Sequence, residues 1–136
     1  KRIKFYNCDL TNNKDLKKLE KKIKGKTFKI IIDDGSHILS HIIKNLFFFL
    51  KYVENGGYFV VEDFNAPRVE GYLDDCSNEE LYFDDILVNI KNKKYFKSKI
   101  LSETQQKYIF DNIESVNIYK GKHIKSDIAF LKKVSD

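Results

Sequence analysis

Two short acidic stretches hold most of the chemistry available to this sequence. The first is Asp33-Asp34-Gly35-Ser36-His37; the second is Glu62-Asp63. Several carboxylates beside one imidazole suit a hard divalent cation such as Mg2+ or Mn2+, which takes oxygen ligands and keeps positions open for water or substrate. Packed together without a cation, these acids would repel one another and raise each other's pKa values. A hydroxyl held at such an ion gives up its proton more easily, and His37 is the residue placed to accept it. Gly35 allows close backbone approach, and Ser36 can begin the helix that fixes the imidazole. Taken alone, Asp34 could equally cap that helix. The matching pair Glu62-Asp63 at a second strand end is what favours a site.

The elements around these stretches explain why they should meet. Phe28–Ile32 is a continuous apolar run, as expected of a strand buried on both faces, and Tyr58–Val61 is a second. Between them, apolar residues from Ile38 to Val53 recur at helical spacing. Asn55-Gly56-Gly57 is expected to end that helix, because these residue types tolerate positive φ. Strand, helix, strand with a right-handed crossover makes the two strands parallel. Both acidic stretches then leave the same edge of the sheet, on strands about 4.8 Å apart, and that carboxyl edge is where open α/β sheets bind ligands.

The remaining chain reads as follows. Arg2–Asn7 alternates like a strand and runs into a polar turn at Asp9. Asn12 or Asn13 caps a helix carrying Leu16, Leu19 and Ile23, with Gly25 beyond its end. Phe64–Asn78 is expected to be an irregular loop, with Asp74-Asp75 solvated or lying over a substrate. Ser77-Asn78-Glu79-Glu80 fits a capping box ahead of a helix through Ile90. Gln105–Phe110 fits helix or strand. Val116–Tyr119 and Asp127–Leu131 read as an antiparallel hairpin. The resulting order, β-α-β-α-β-α-β-β, predicts an α/β fold in one domain over residues 1–136.

With 136 residues, 42% hydrophobic and 33% charged, the composition is that of a globular domain. No apolar run is long enough to span a membrane. The formal net charge of +5 comes almost wholly from lysines spread over helix faces such as Lys17, Lys18, Lys21 and Lys22, so a solvated surface is expected rather than a nucleic-acid interface. Cys8 and Cys76 lack metal-ligand spacing, and no secretory signal is visible; free thiols in a cytoplasmic setting are the expectation. His41 reads as a polar flank and Phe47-Phe48-Phe49 as core.

Ile31 through His37, then Asn55-Gly56-Gly57, then Val60-Val61-Glu62-Asp63 resemble the class I S-adenosylmethionine (SAM)-dependent methyltransferases, specifically the metal-dependent macrolide sugar O-methyltransferases of the mycinamicin and macrocin type. The closing antiparallel strand pair resembles the end of the same Rossmann-like sheet. The resemblance covers Ile3 to about Lys132. It implies that Asp34, Glu62 and Asp63 hold Mg2+ (or Mn2+), that His37 is the catalytic base, that Asp9 helps hold the adenine, and that Asp33 lies nearest the SAM cofactor. It also implies a mostly parallel sheet lacking the family's first two strands and its glycine-rich SAM loop, with the missing first strand between the first and second core regions. The chain is therefore expected to be part of a longer protein.

These expectations converge on an O-methyltransferase acting on a sugar or polyol hydroxyl, its partners a small-molecule or glycan acceptor and, at most, a second copy of the chain. A phenol or lipid-linked glycan is the variant acceptor. The competing reading is a degenerate methyltransferase-like domain used for binding or assembly.

Overall fold

The computed structural model describes residues 3–70 and 79–135. Its elements are α1 (Asn13–Ile23), β1 (Phe28–Asp33), α2 (Leu39–Leu50), β2 (Val53–Val61), α3 (Ala66–Glu70), α4 (Phe83–Lys91), α5 (Glu103–Asn112), β3 (Ile113–Tyr119) and β4 (Ile128–Lys133). The four strands form one sheet in the order β1-β2-β4-β3. β1 and β2 are parallel, whereas β4 runs antiparallel to both of its neighbours. β1, β2 and β3 thus share a direction, and the last strand alone is inserted against it, as the closing hairpin requires.

The alternation along each strand decides where the core sits. Phe59, Val61, Val116, Ala129 and Leu131 point to one face and are buried under α2, α4 and α5. Their neighbours Ile30, Tyr58, Asn117, Tyr119 and Phe130 share a groove on the opposite face. No described helix covers that face: Ile30 and Ile32 are each more than half exposed and Tyr119 is 57% exposed. Phe130 makes edge-to-face contacts there with Tyr58 and Tyr119, at 6.3 and 5.6 Å between ring centroids. Burial on both faces of the first core strand, expected from its apolar run, is therefore not found. Among described residues only Ile31 of its three isoleucines packs on the core.

Several boundaries differ from the sequence reading, each for a local reason. Ile3–Asn7 is not a strand. Among the described residues no neighbouring strand takes its ladder bonds, and Ile3 and Phe5 stay exposed. α2 ends at Leu50, with Lys51 and Tyr52 turning directly into β2. Asn55-Gly56-Gly57 does not stop the helix but lies inside β2, where it forms a bulge. Pairing jumps from Phe28↔Val53 to Ile30↔Tyr58, and Gly56 takes φ +73°. Phe64 is buried, and Ala66–Glu70 is helical rather than irregular. α4 begins at Phe83, with Tyr82 and Asp85 forming its capping pair. Ser77 and Asn78 lie outside the described residues, as do Asp74, Asp75 and Cys76. Glu79 is buried and accepts from the Lys99 and Ile100 amides. Gln105–Phe110 is helix because Ser102 and Gln105 cap each other reciprocally at the start of α5. The Asn12 cap on α1 and the terminal hairpin are as expected.

Candidate active site

The crossover places both acidic stretches side by side at the carboxyl edge. Asp33, the last residue of β1, is paired with Val61, the last of β2, and the Glu62 amide donates to the Asp33 carbonyl at 3.0 Å. The chain leaves both strands at the same level, so Asp34 and Glu62 follow at matching positions, with Asp63 one residue beyond.

His37 stands between Asp34 and Asp63. Its Nε2 lies 3.3 Å from Asp34 Oδ1, and its Nδ1 lies 4.0 Å from Asp63 Oδ2. Both His37 (φ +55°) and Asp63 (φ +51°) adopt the left-handed backbone region, which is unfavourable for residues with a Cβ. Lys93, outside this region, shares that conformation (φ +52°), and the surrounding structure sustains its cost at each position. Ser36 does not act as the helix cap proper, since Ile38 is the N-cap without a side-chain bond. Its hydroxyl instead pairs with His41 Nδ1 at 2.7 Å, and a long bond reaches it from the Ile38 amide. His41 thus buttresses the loop through Ser36.

Asp33 is tied to α2. Asn45 Nδ2 donates to its Oδ2 at 3.1 Å. Burial raises the pKa of the Asp33 carboxyl from its ordinary value, and the Asn45 bond partly opposes that rise. Asn45 was not singled out from sequence, although a polar residue within the buried stripe of α2 was the available signal. Asp9 lies in the turn before α1. It accepts from the Thr11 amide and hydroxyl at 2.9 and 2.7 Å, and these bonds hold its pKa below the ordinary value. In this structure its carboxylate is the turn former; its neighbourhood includes the His41 imidazole, which also acts on it electrostatically.

The donor set fits a hard cation in kind: Asp34, Glu62 and Asp63 are carboxylates brought to one edge of adjacent strands. Among the described residues, however, no three acidic, imidazole or thiol groups converge as a ready-made cage. The His37 ring occupies the space between two of the carboxylates.

No protein-family profile matches the chain. L-olivosyl-oleandolide 3-O-methyltransferase of Streptomyces antibioticus is 40% identical over 45 residues, which is 33% of this chain and 12% of that protein. Among solved structures, the MycE methyltransferase from the mycinamycin biosynthetic pathway in complex with Mg and SAH superposes with a TM-score of 0.67 at 23% identity. That match covers 98% of this chain and 33% of the MycE chain. The same enzyme with Mg, SAH and mycinamycin VI gives a TM-score of 0.63 at 24% identity over 96% of this chain and 31% of that one. The chain thus has the fold of a part of the MycE enzyme; it spans about a third of that enzyme's length and 12% of the olivosyl-oleandolide enzyme's. Among the described residues, no helix is long and apolar enough to cross a membrane.

Proposed function

We propose that this chain carries the metal and base residues of a SAM-dependent O-methyltransferase whose acceptor is a sugar or polyol hydroxyl. The observation that carries the reading is the placement of His37 between Asp34, at 3.3 Å, and Asp63, at 4.0 Å, beside the paired exits of β1 and β2. The fold likeness to methyltransferases that hold Mg and SAH supports it, as does the short stretch of identity with an olivosyl 3-O-methyltransferase.

In this reading Asp34, Glu62 and Asp63 hold Mg2+ or Mn2+, while Asp33 and Asp9 border the SAM site. The bound cation would lower the acceptor hydroxyl's pKa, and SAM would supply the methyl group. The chain's own part is to position and to move a proton. His37, bonded to Asp34 and facing Asp63, accepts the hydroxyl proton as the oxygen becomes nucleophilic. Asp34 and Asp63 then stabilise the imidazolium that results. Ser36, His41 and the left-handed turn keep the ring at the sheet edge. A cytoplasmic setting with Cys8 reduced belongs to the same proposal; Cys8 is a free thiol here.

One observation favours the alternative, a methyltransferase-like domain serving binding or assembly: no three ligands converge among the described residues. Methyl transfer separates the two. In the full-length protein, Asp34→Ala and Glu62→Ala should each abolish turnover of a sugar acceptor in the presence of Mg2+. Undiminished transfer by both variants would remove the metal assignment, and no transfer by the wild type to any hydroxyl acceptor would favour the binding module.

A further inference from the structure

The turn that carries Glu62 and Asp63 is fastened to a second loop at the same edge. β3 runs in the direction of β2, so the β3–β4 connection, residues 120–127, emerges beside the β2 exit. Asn65, only 8% exposed, bridges the two. Its Nδ2 donates to the Ile124 carbonyl at 2.7 Å, and its Oδ1 accepts from the Asp127 amide at 3.1 Å. The two bonds fix the orientation of the amide and engage both of its ends.

The loop it grips is itself built to be held. Asp127 is buried and accepts from the Gly121 amide at 3.2 Å and from Lys120 Nζ at 2.5 Å. A Cβ on Gly121 would meet the Ser126 carbonyl oxygen at 2.0 Å, so the loop closes on itself only with glycine there. On the other side of the bridge, the Ala66 amide donates to the Asp63 carbonyl at 3.0 Å, which draws the left-handed Asp63 and Asn65 into one turn. Lys125 pairs with Glu70, and Arg68 binds Asp84 and Asp85 at 2.6 and 2.5 Å, so the segment after Asn65 is anchored as well.

We infer that Asn65 is a positioning residue that locks the Glu62-Asp63 turn to the 120–127 loop, so that the carboxylates and the loop form one rigid wall of the site. The inference rests on the metal reading above for its consequence, but not for its geometry. Groups that hold a metal-binding carboxylate in place influence affinity by about 10- to 100-fold when removed. A buried amide serving only to satisfy loop backbone would influence stability alone.

The experiment uses the full-length protein and four forms: wild type, Asn65→Ala, Asp34→Asn and Gln106→Ala. Gln106 is a control elsewhere in the fold, a buried amide bonded to Phe96 and Leu101 backbone. Mn2+ is titrated by EPR, melting temperature is recorded, and amide hydrogen exchange is followed at 62–66 and 121–127. Asn65→Ala should bind Mn2+ about tenfold more weakly and exchange faster in both segments together. Gln106→Ala should lose comparable melting temperature yet bind Mn2+ as wild type does. Wild-type Mn2+ affinity in Asn65→Ala, with Asp34→Asn defective, would overturn the inference and leave the metal reading intact. No saturable Mn2+ binding by the wild type would sink the metal reading instead. The lock is then judged on exchange alone, and unchanged protection at 62–66 in Asn65→Ala overturns it. If Asn65→Ala does not fold, Asn65→Asp keeps the acceptor and loses the Nδ2 donor, and the same exchange measurement decides.

Discussion

Gly57→Ala is expected to be far more damaging than its single methyl suggests. The β2 bulge brings Gly57 against β1, and a Cβ built there would lie 2.6 Å from the Lys29 carbonyl oxygen and 2.9 Å from that of Glu54. Ordinary contact begins at 3.4 Å, so β1 and β2 would have to part locally by roughly 0.8 Å. Both obstacles are backbone atoms and cannot rotate aside. The cost falls at the upper end of the overpacking range, about 3 kcal/mol, which is roughly a hundredfold in the folding equilibrium and about 10 °C in melting temperature for a chain of this size. Gly25→Ala is the reference: its φ of +72° is strained for alanine, but nothing lies within 4 Å. It should cost about 1 kcal/mol. Thermal unfolding followed by circular dichroism compares the two. A Gly57→Ala protein melting no lower than Gly25→Ala would refute the close approach, and with it the claim that the bulge sets the register placing Asp33 opposite Val61.

Two further outcomes follow from burial. Asp33 has a native pKa raised by desolvation, so the folded state holds its proton more tightly than the unfolded chain, and its contribution to stability falls as pH rises from the unfolded value near 4 through the native value. Asp33→Asn should therefore gain melting temperature relative to wild type on going from pH 3.5 to pH 7; a relative loss would contradict the assigned burial. Phe59→Ala, at a fully buried position of the helix-covered face, should cost about 3–5 kcal/mol. Tyr58→Ala on the uncovered face should cost distinctly less by the same denaturant titration, and equal losses would argue against a core on one face only.

The placement of the two acidic stretches was more legible than the frame around them. Two strands each ending in acids, joined by a helix of the right length, require a parallel pair with both acidic stretches at one edge, and the structure has them there. The approach of His37 to Asp34 and to Asp63 was not read from the sequence and is seen only in the structure. The supports Asn45 and Asn65 were less visible. Asn45 gains its role from facing Asp33 across the β1–α2 connection, and Asn65 from a loop some sixty residues away. The bulge was misread because glycines that end a helix and glycines that kink a strand have the same conformational freedom, and only the neighbouring strand distinguishes them. Ile3–Asn7 failed for the complementary reason. Alternation is a property of the segment, whereas a strand needs a partner.

The uncovered side of the sheet has a consequence for how this chain behaves in concentrated solution. Phe28-Lys29-Ile30-Ile31-Ile32 is an edge strand with high β-propensity and a single charge, and its outer ladder is a template for another strand. Beside it, Tyr58, Phe130 and Tyr119 continue the apolar surface across the sheet. Handled by itself, the chain would be kept apart from its copies chiefly by its net charge of +5. Salt, which screens that repulsion within about 10 Å at 0.1 M, would then promote clumping rather than solubility.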